Sequence, residues 1–521
     1  MTAMPFTCFA EESSDNIIIL NDDVTFNTDT NTMYFKSNPE DRSFQPYGFD
    51  DDVRSDPQKM AFYKQREELL QKTRKVVLEY GVKYIDSEFF HDLPNLEEVE
   101  MPYTLEWIGA FAFWNCPKLK TVNGENVRTI CSGAFGRCTS LEFADFPNLT
   151  TFSYSKLDLS YYADPGNYWL YPVHEYYVGA FQECTALDNI YIPKVCKIGP
   201  KTFYKCSSLT TINENNTLKR VYGVGRSAFY GCKSLESISL PSARCLPSGR
   251  DPFSDSEFCE GVFGYCTSLT SINIPEVSNI GKGCFYGCSN LKTINSNNQL
   301  NSVETLGAYA FYGCKSLKTI SLKKVKKLDY GKWNYYKAGA FKSVRDQGAF
   351  TEYFDVPTPD YAGTKYASVF GNCTNLKTVN ISGAESIDKN TFMNCGKLQS
   401  VDITSAKNIG TKAFYNCTKL TTVKTGTNGK TINDYAFYNC SSLKTINIPK
   451  NVKTIGVRAF GRCSNLKTIN MKTTAFDTIG LDAFKNIKSK ATFNCPKSKL
   501  KTYKKLLKPN APASSVFKAK Y

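Results

Sequence analysis

The sequence predicts a repeat solenoid, a curved and elongated body of mainly parallel β coils joined by short turns and helical segments. Three observations carry that expectation. One short motif recurs through most of the 521 residues, mostly at uninterrupted spacings of 22 or 23 residues. Within a copy, apolar and polar residues alternate as they do along a strand. A unit of that size cannot bury its own apolar face, so successive copies must stack on one another.

Residues 1–16 read as a leader remnant or a disordered N-terminus. Cys8 and Ala10, followed by Glu11 and Glu12, resemble a signal-peptidase site, although the basic start and most of the apolar core are missing. The expectation is a secreted or cell-surface protein whose signal peptide is truncated. Residues 17–75 form an N-terminal cap over the first coil. In it, Ile17–Leu20, Val24–Phe26 and Met33–Phe35 suggest a hairpin, and residues 57–74 suggest a helix.

Residues 76–490 hold the repeats. The motif is Phe, two residues, Cys, two residues, Leu, two residues, Ile or Val. Full copies start at Phe113, Phe181, Phe203, Phe229, Phe263, Phe285, Phe311, Phe370, Phe392, Phe414, Phe437 and Phe460. Phe135-Cys138-Leu141 is a partial copy, and Phe90-Leu93-Leu96-Val99 is an opening copy with Leu in place of Cys. In one unit, Ile446 and Ile448 point inward, Thr445 and Asn447 outward, and Pro449 ends the ladder. Val452 to Ile455 makes a second extended piece, and Gly456 is expected to turn with positive φ. Residues 491–521 form a basic C-terminal cap, read as a short helix and then a loose tail.

Of the 20 cysteines, 13 share one repeat phase, from Cys116 to Cys463. Stacked in register, their Cβ atoms lie about one strand spacing apart, roughly 4.8 Å, beyond the separation a disulfide prefers. They read as a reduced, buried ladder. Cys245 and Cys259 flank one insertion and suggest a clip. With only His91 and His174 in the chain, and one thiol per coil, no metal site is expected, and no cofactor. No phosphate-binding loop, nucleophile elbow or zinc spacing appears, so the chain reads as a non-enzyme.

The pattern Ala436-Phe437 to Gly456 resembles the BspA-type leucine-rich repeat family, and the resemblance covers roughly residues 76–490. It implies a leucine-rich repeat fold. It also implies a surface or secreted protein, since relatives bind host matrix proteins or other microbes in some cases.

Three insertions, near residues 153–178, 243–261 and 328–368, leave the period between a strand and the next Phe turn. Two are rich in aromatics. Tyr161, Tyr162, Tyr168, Trp169 and Tyr171 lie in the first, Trp333, Tyr335 and Tyr336 in the third. Such rings suit protein hot spots or sugar stacking, and equally a small satellite core. Lys120, Lys292, Lys318, Lys377, Lys444 and Lys467 would form a lysine row beside a row of Thr and Ser. That row reads as a polyanion track or as a soluble strand surface.

Net charge is +15, but residues 1–100 carry 21 acidic and 10 basic groups whereas residues 401–521 carry 4 and 23. The expected partner is a protein or a cell surface. An acidic glycan held by the insertion aromatics and the basic half is the alternative. No specific nucleic-acid partner and no membrane span are expected.

Overall fold

The computed structural model describes residues 16–21, 23–36, 57–153, 178–247, 261–329, 368–474 and 476–521. The chain forms two compact units, Met1–Ser239 and Leu240–Tyr521. Each is a parallel β-solenoid in which most coils contribute one strand to each of two faces; in the second unit each face is divided into shorter sheets.

In the first unit, one sheet runs from the N-terminal strands through Lys75–Leu78, Glu98–Glu100, Thr121–Asn123, Phe143–Asp145, Asn189–Tyr191 and Thr211–Ile212. The second sheet contains Tyr84–Ile85, Trp107–Ile108, Thr129–Cys131, Thr151–Ser153, Lys197–Ile198 and Gly223–Val224. Ile17–Asn21, Val24–Asn27 and Thr32–Phe35 are antiparallel, and the helix Pro57–Lys72 then carries the chain over to a parallel pairing of Thr32–Phe35 with Lys75–Leu78. Phe35 sets its ring edge-on to Phe90, 5.3 Å away, and closes the core at that end.

The buried Phe of each coil stacks on its neighbour. In the first unit the column is Phe90, Phe113, Phe135, Phe181, Phe203 and Phe229, with centroids 5.2–5.9 Å apart. In the second it runs from Phe263 through Phe285, Phe311, Phe370, Phe392, Phe414, Phe437 and Phe460 to Phe484, at 5.0–5.6 Å. These spacings are close to the 4.7–4.9 Å between paired strands, so ring stacking and strand pairing demand nearly the same rise. Both insertions that interrupt the column leave it intact. Phe135 meets Phe181, and Phe311 meets Phe370, at 5.3 and 5.4 Å.

The cysteines are more than small fillers. Twelve of the thirteen ladder thiols are seen to donate to the carbonyl of the Phe one coil earlier. Cys116 reaches Phe90 O at 3.2 Å, Cys206 reaches Phe181 O at 3.0 Å, and Cys417 reaches Phe392 O at 3.2 Å. The bond survives the insertions, from Cys184 to Phe135 O at 2.9 Å and from Cys373 to Phe311 O at 3.0 Å. The Phe amide meanwhile donates to the next coil, as Phe414 N does to Ala436 O at 2.7 Å. The turn thus has its own column of hydrogen bonds, a third side to the coil. Every described cysteine is a free thiol, Cys245 included, while Cys259 lies outside the described residues.

In most turns two residues adopt left-handed backbone, two before and two after the Phe, for example Lys412 and Asn416 around Phe414, whereas the turns at Phe181, Phe263 and Phe370 that follow the insertions keep only the later one. Asn fills the later position in many coils because its short side chain tolerates that region. Gly456 differs from the sequence-based expectation, since it is not among the positive-φ glycines. A Cβ there would meet Asp434 N at 2.4 Å, so glycine is required by the close approach of the preceding coil. Two coils are longer, Phe203 to Phe229 and Phe285 to Phe311. In each an Asn turn takes up the excess: Asn216 Oδ1 accepts from Ile212 N and Asn298 Oδ1 from Ile294 N, both at 2.6 Å.

The C-terminal cap of the second unit is ordered throughout. A short 3-10 turn Lys497–Lys499 leads into the helix Leu500–Leu507, whose Tyr503 and Leu507 are buried. Tyr503 donates to Thr473 O at 3.1 Å. Asn510 O accepts from Phe484 N at 2.9 Å, where a further coil would have supplied a carbonyl. The loose tail expected from sequence is instead the strand Val516–Ala519, paired parallel with Thr492–Cys495. Phe517, half-buried, stacks on Phe493 at 5.0 Å, and that contact together with four ladder positions holds the segment.

Two outcomes test the thiol ladder. Cys417→Ala removes one of two donors to the Phe392 carbonyl, which keeps the Cys395 amide at 3.1 Å, and leaves a small void, so it should cost about 1–2 kcal/mol, measured by denaturant unfolding. Cys417→Ser keeps a donor and should lose less; the reverse order would make the thiol a mere apolar filler. Burial raises the pKa of Cys116, Cys184, Cys206, Cys288, Cys314, Cys395, Cys417 and Cys440, and takes Cys373 to about 12. A raised pKa means stability that is full below the unfolded thiol value, about 8.5, and lost as pH climbs above it. At pH 10 each such thiol withdraws about 2 kcal/mol. Circular dichroism should therefore report cooperative unfolding between about pH 9 and 11, with thiolate absorbance rising only as the fold is lost. Thiolates appearing near pH 8.5 in a folded chain would contradict the ladder.

Candidate functional site

With the interior occupied by Phe, Cys, Leu and Ile, recognition chemistry lies on the surface. On two successive four-stranded sheets of the second unit, the inward Ile or Val of each strand is flanked by residues that stay in register within the sheet. Thr319 and Ser321 lie beside Thr378 and Asn380, then Ser400 and Asp402, then Thr422 and Lys424. Thr445 and Asn447 lie beside Thr468 and Asn470, then Thr492 and Asn494. The amides form a ladder, Asn470 Nδ2 donating to Asn447 Oδ1 at 2.8 Å and Asn494 Nδ2 to Asn470 Oδ1 at 2.7 Å. The hydroxyls run alongside.

At the entrance to these strands stand exposed Lys292, Lys318, Lys377, Lys444 and Lys467. Lys318 and Lys377 are neighbouring rungs, as are Lys444 and Lys467, each pair joined by a backbone hydrogen bond. Lys120 does not join this row. It belongs to the first unit, where Glu97 and Glu142 hold the adjoining rungs and Asp188 the next. There Lys75 also binds Glu98 and Glu100. The same structural column is therefore mixed and acid-rich in one unit and lysine-rich in the other. Within the second unit Asp402 is an exception. Partial burial alone would raise it, but hydrogen bonds from Lys424, 2.9 Å away, and Thr404 hold its carboxyl below the ordinary range.

A second surface lies on the Phe turns. Tyr415 stacks on Tyr438 at 5.2 Å, and the outer faces carry Lys412 and Arg462 at 5.8 and 5.7 Å. In the first unit Tyr204 stacks on Tyr230 under Lys201 and Lys205. Beside the tyrosines of the second unit runs a chain of amides from Asn439 through Asn416 and Asn394 to Asn372, which donates to Tyr312 Oη at 2.6 Å. The ring faces are already occupied, by one another and by cations, so this tract fixes the turns. The sequence reading passed over it. Its signal was visible in the repeated Phe-Tyr-Asn-Cys at residues 414–417 and 437–440.

The aromatic residues singled out from sequence, Tyr161, Tyr162, Tyr168, Trp169, Tyr171, Trp333, Tyr335 and Tyr336, lie outside the described residues, as does His174. What the structure gives is where their segments leave. Each departs after a strand of the second sheet, Thr151–Ser153 or Lys327–Asp329, and returns just before a Phe turn, at Val178 or Ser368. Among the described residues, no group of three or more His, Cys, Asp or Glu is placed to hold a metal ion, and no helix is long and apolar enough to cross a membrane.

Comparison with known proteins matches these coils to the BspA type leucine rich repeat region, in six copies over residues 62–159, 175–257, 256–345, 359–428 and 385–508. No curated protein matches the chain. Among solved structures, a leucine-rich repeat protein from Bacteroides ovatus is 23% identical, with a TM-score of 0.50, over 86% of this chain and 92% of that one. A leucine-rich repeat protein from Eubacterium ventriosum is 21% identical over 85% of this chain and 93% of that one, with a TM-score of 0.36. A leucine rich cell surface protein from Faecalibacterium prausnitzii is 17% identical over 80% and 95%, with a TM-score of 0.29. The repeat that the stacked Phe and donating Cys define is the repeat of this family model, and the chain belongs to the BspA-type leucine-rich repeat family.

Proposed function

We propose that this chain is a non-catalytic, secreted or cell-surface repeat protein that binds a protein partner or another cell. The observation that carries the reading is the strand face of the second unit, with hydroxyls, amides and lysines held in register from one coil to the next. A surface of that kind offers many similar contacts at strand spacing to an extended partner, and weak contacts made together sum. The aromatic segments 153–178 and 328–368 add anchors of another kind, with Tyr161, Tyr162, Tyr168, Trp169, Tyr171, Trp333, Tyr335 and Tyr336 as the contact residues. Placement outside the cell is what membership of the family suggests.

The lysine row favours a second reading, an extracellular acidic glycan as ligand, since Lys318 and Lys377 occupy adjacent rungs where like charges repel.

A panel of matrix proteins and a glycan array, each titrated with salt, separates the two. Binding to a protein that persists at 0.5 M salt supports the first reading. Binding confined to anionic glycans that fades steeply with salt supports the second. Trp169→Ala and Trp333→Ala should each weaken the protein interaction about tenfold while leaving Tm within about 2 °C, as expected of hot-spot residues. A lowered Tm with unchanged affinity would make those rings a satellite core and remove them from the site.

A further inference from the structure

We propose that the helix Leu500–Leu507 and the turn after it form a docking site for an anionic polysaccharide, distinct from the strand face. The proposal deepens the glycan reading above by giving it a location.

After Asp482 the chain carries eleven lysines and no Asp, Glu or Arg. Lys501, Lys504, Lys505 and Lys508 are all exposed, on the face of the helix opposite the buried Tyr503 and Leu507. With Pro509 they line a shallow, nearly flat stretch of surface. Among the described residues none of the four makes an ion pair, whereas Lys407, Lys424 and Lys485 in the same unit do.

Ordinary structural reasons do not explain the cluster. The strand Val516–Ala519 is paired on one side only, and Lys518 and Lys520 there are the charges that keep an open edge from pairing with another chain. The helix lysines are not on that edge. A favourable interaction with the helix dipole covers Lys504 and Lys505 in the last turn and Lys508 at the C-cap but not Lys501, and it accounts neither for the like-charge crowding nor for the lysines at the other end. Lys497, Lys499 and Lys501 crowd the N-terminal end, where positive charge is unfavourable, with no acidic residue in the first turn and no side-chain cap. Lys501 and Lys505, and Lys504 and Lys508, are like-charged pairs four residues apart, which destabilise a helix. The segment thus concentrates positive charge against its own stability, and a bound polyanion relieves that repulsion.

The type of cation selects the partner. Lysine is a compact point charge without the planar fork of arginine, suited to a linear array of carboxylates or sulfates. The exposed face of the helix presents lysines and Thr502, with no ring on which a nucleic-acid base would stack. An acidic polysaccharide needs only the charges.

The test uses the full chain and size-defined heparin as the probe, followed by calorimetry between 50 and 300 mM salt. Variant one is Lys501→Gln, Lys504→Gln, Lys505→Gln and Lys508→Gln together. Variant two changes Lys318, Lys377, Lys444 and Lys467 on the strand face to Gln. The wild type should bind with affinity falling steeply in salt. Variant one should lose at least tenfold at 50 mM, with the log–log salt slope reduced by about 3, as four lost contacts require. Its Tm without heparin should equal or exceed that of the wild type, because repulsion has been removed. Loss of binding in variant two with none in variant one would overturn the assignment to the cap while keeping the glycan reading. No heparin binding by the wild type would overturn both. Equal affinity for a single-stranded homopolymeric RNA of matched charge would overturn the choice of polysaccharide.

Discussion

The fold depends on one coupled contact: a Phe ring that stacks on the ring below, and a Cys thiol that satisfies the carbonyl of that lower Phe. The ring fixes the rise and the thiol fixes the turn. That carbonyl also accepts from the Cys amide of its own turn, as Phe392 O does from Cys395 N at 3.1 Å, so the thiol supplies a second bond that ties one coil to the next, worth about 0.5–1.5 kcal/mol wherever it forms. Serine would meet the need for a donor but carries a polar oxygen into an apolar column, and alanine would fill less of it and donate nothing. The opening copy obeys the same logic from the other side. Leu93 stands where a Cys would be, and below it lies the cap with Phe35 rather than another Phe turn. At the far end, Asn510 supplies the acceptor that the amide of Phe484 needs, and Phe493 closes the ring column edge-on at 5.1 Å.

Because those contacts use the inward residues of every coil, variation is confined to what faces out. The two units illustrate this with one backbone. Glu142 in the first and Lys377 in the second occupy matching rungs, and neither change touches the Phe column. Charge can therefore be redistributed along the chain at little structural cost, and an acid-rich half and a lysine-rich half can share one fold. The carboxylates that remain in the second unit, such as Asp402 beside Lys424 and Asp482 beside Lys485 and Arg458, are paired locally and leave the strand row and the helix face as open positive surface.

Much of this was legible because the repeat is a sum of identical local decisions. Phe at fixed phase, alternation around Ile446 and the unbroken Cys phase determine coil, strand and ladder without long-range information. What was less legible depended on neighbours. Gly456 looks like a turn residue in sequence, yet its reason is the Asp434 backbone one coil away. Val516–Ala519 looks like a tail because four residues show no periodicity of their own, and only the open edge of Thr492–Cys495 makes them a strand. The stacked tyrosines were hidden for a similar reason, since Tyr415 and Tyr438 are 23 residues apart and become neighbours through the coil. Lys120 misled in the opposite sense. It has the right phase for the lysine row but stands among acidic rungs of the other unit.

The column also explains why long insertions are tolerated at one point of the coil. Loop closure entropy grows only logarithmically with length, about 0.6 kcal/mol per doubling, so a long excursion costs little more than a short one provided its ends return to the same place. They do return: Phe181 and Phe370 stack on their predecessors at 5.3 and 5.4 Å, as tightly as rings joined by an uninterrupted coil, and Cys184 and Cys373 still reach the earlier carbonyls. Entry after the second strand and return just before the Phe turn leaves every ring, thiol and ladder position in use. An insertion within the strand would break register, and one between Phe and Cys would separate the donor from its turn. The point of insertion is thus where the repeat makes the fewest demands, and the two aromatic segments proposed as contact segments both enter the chain at that point of the coil.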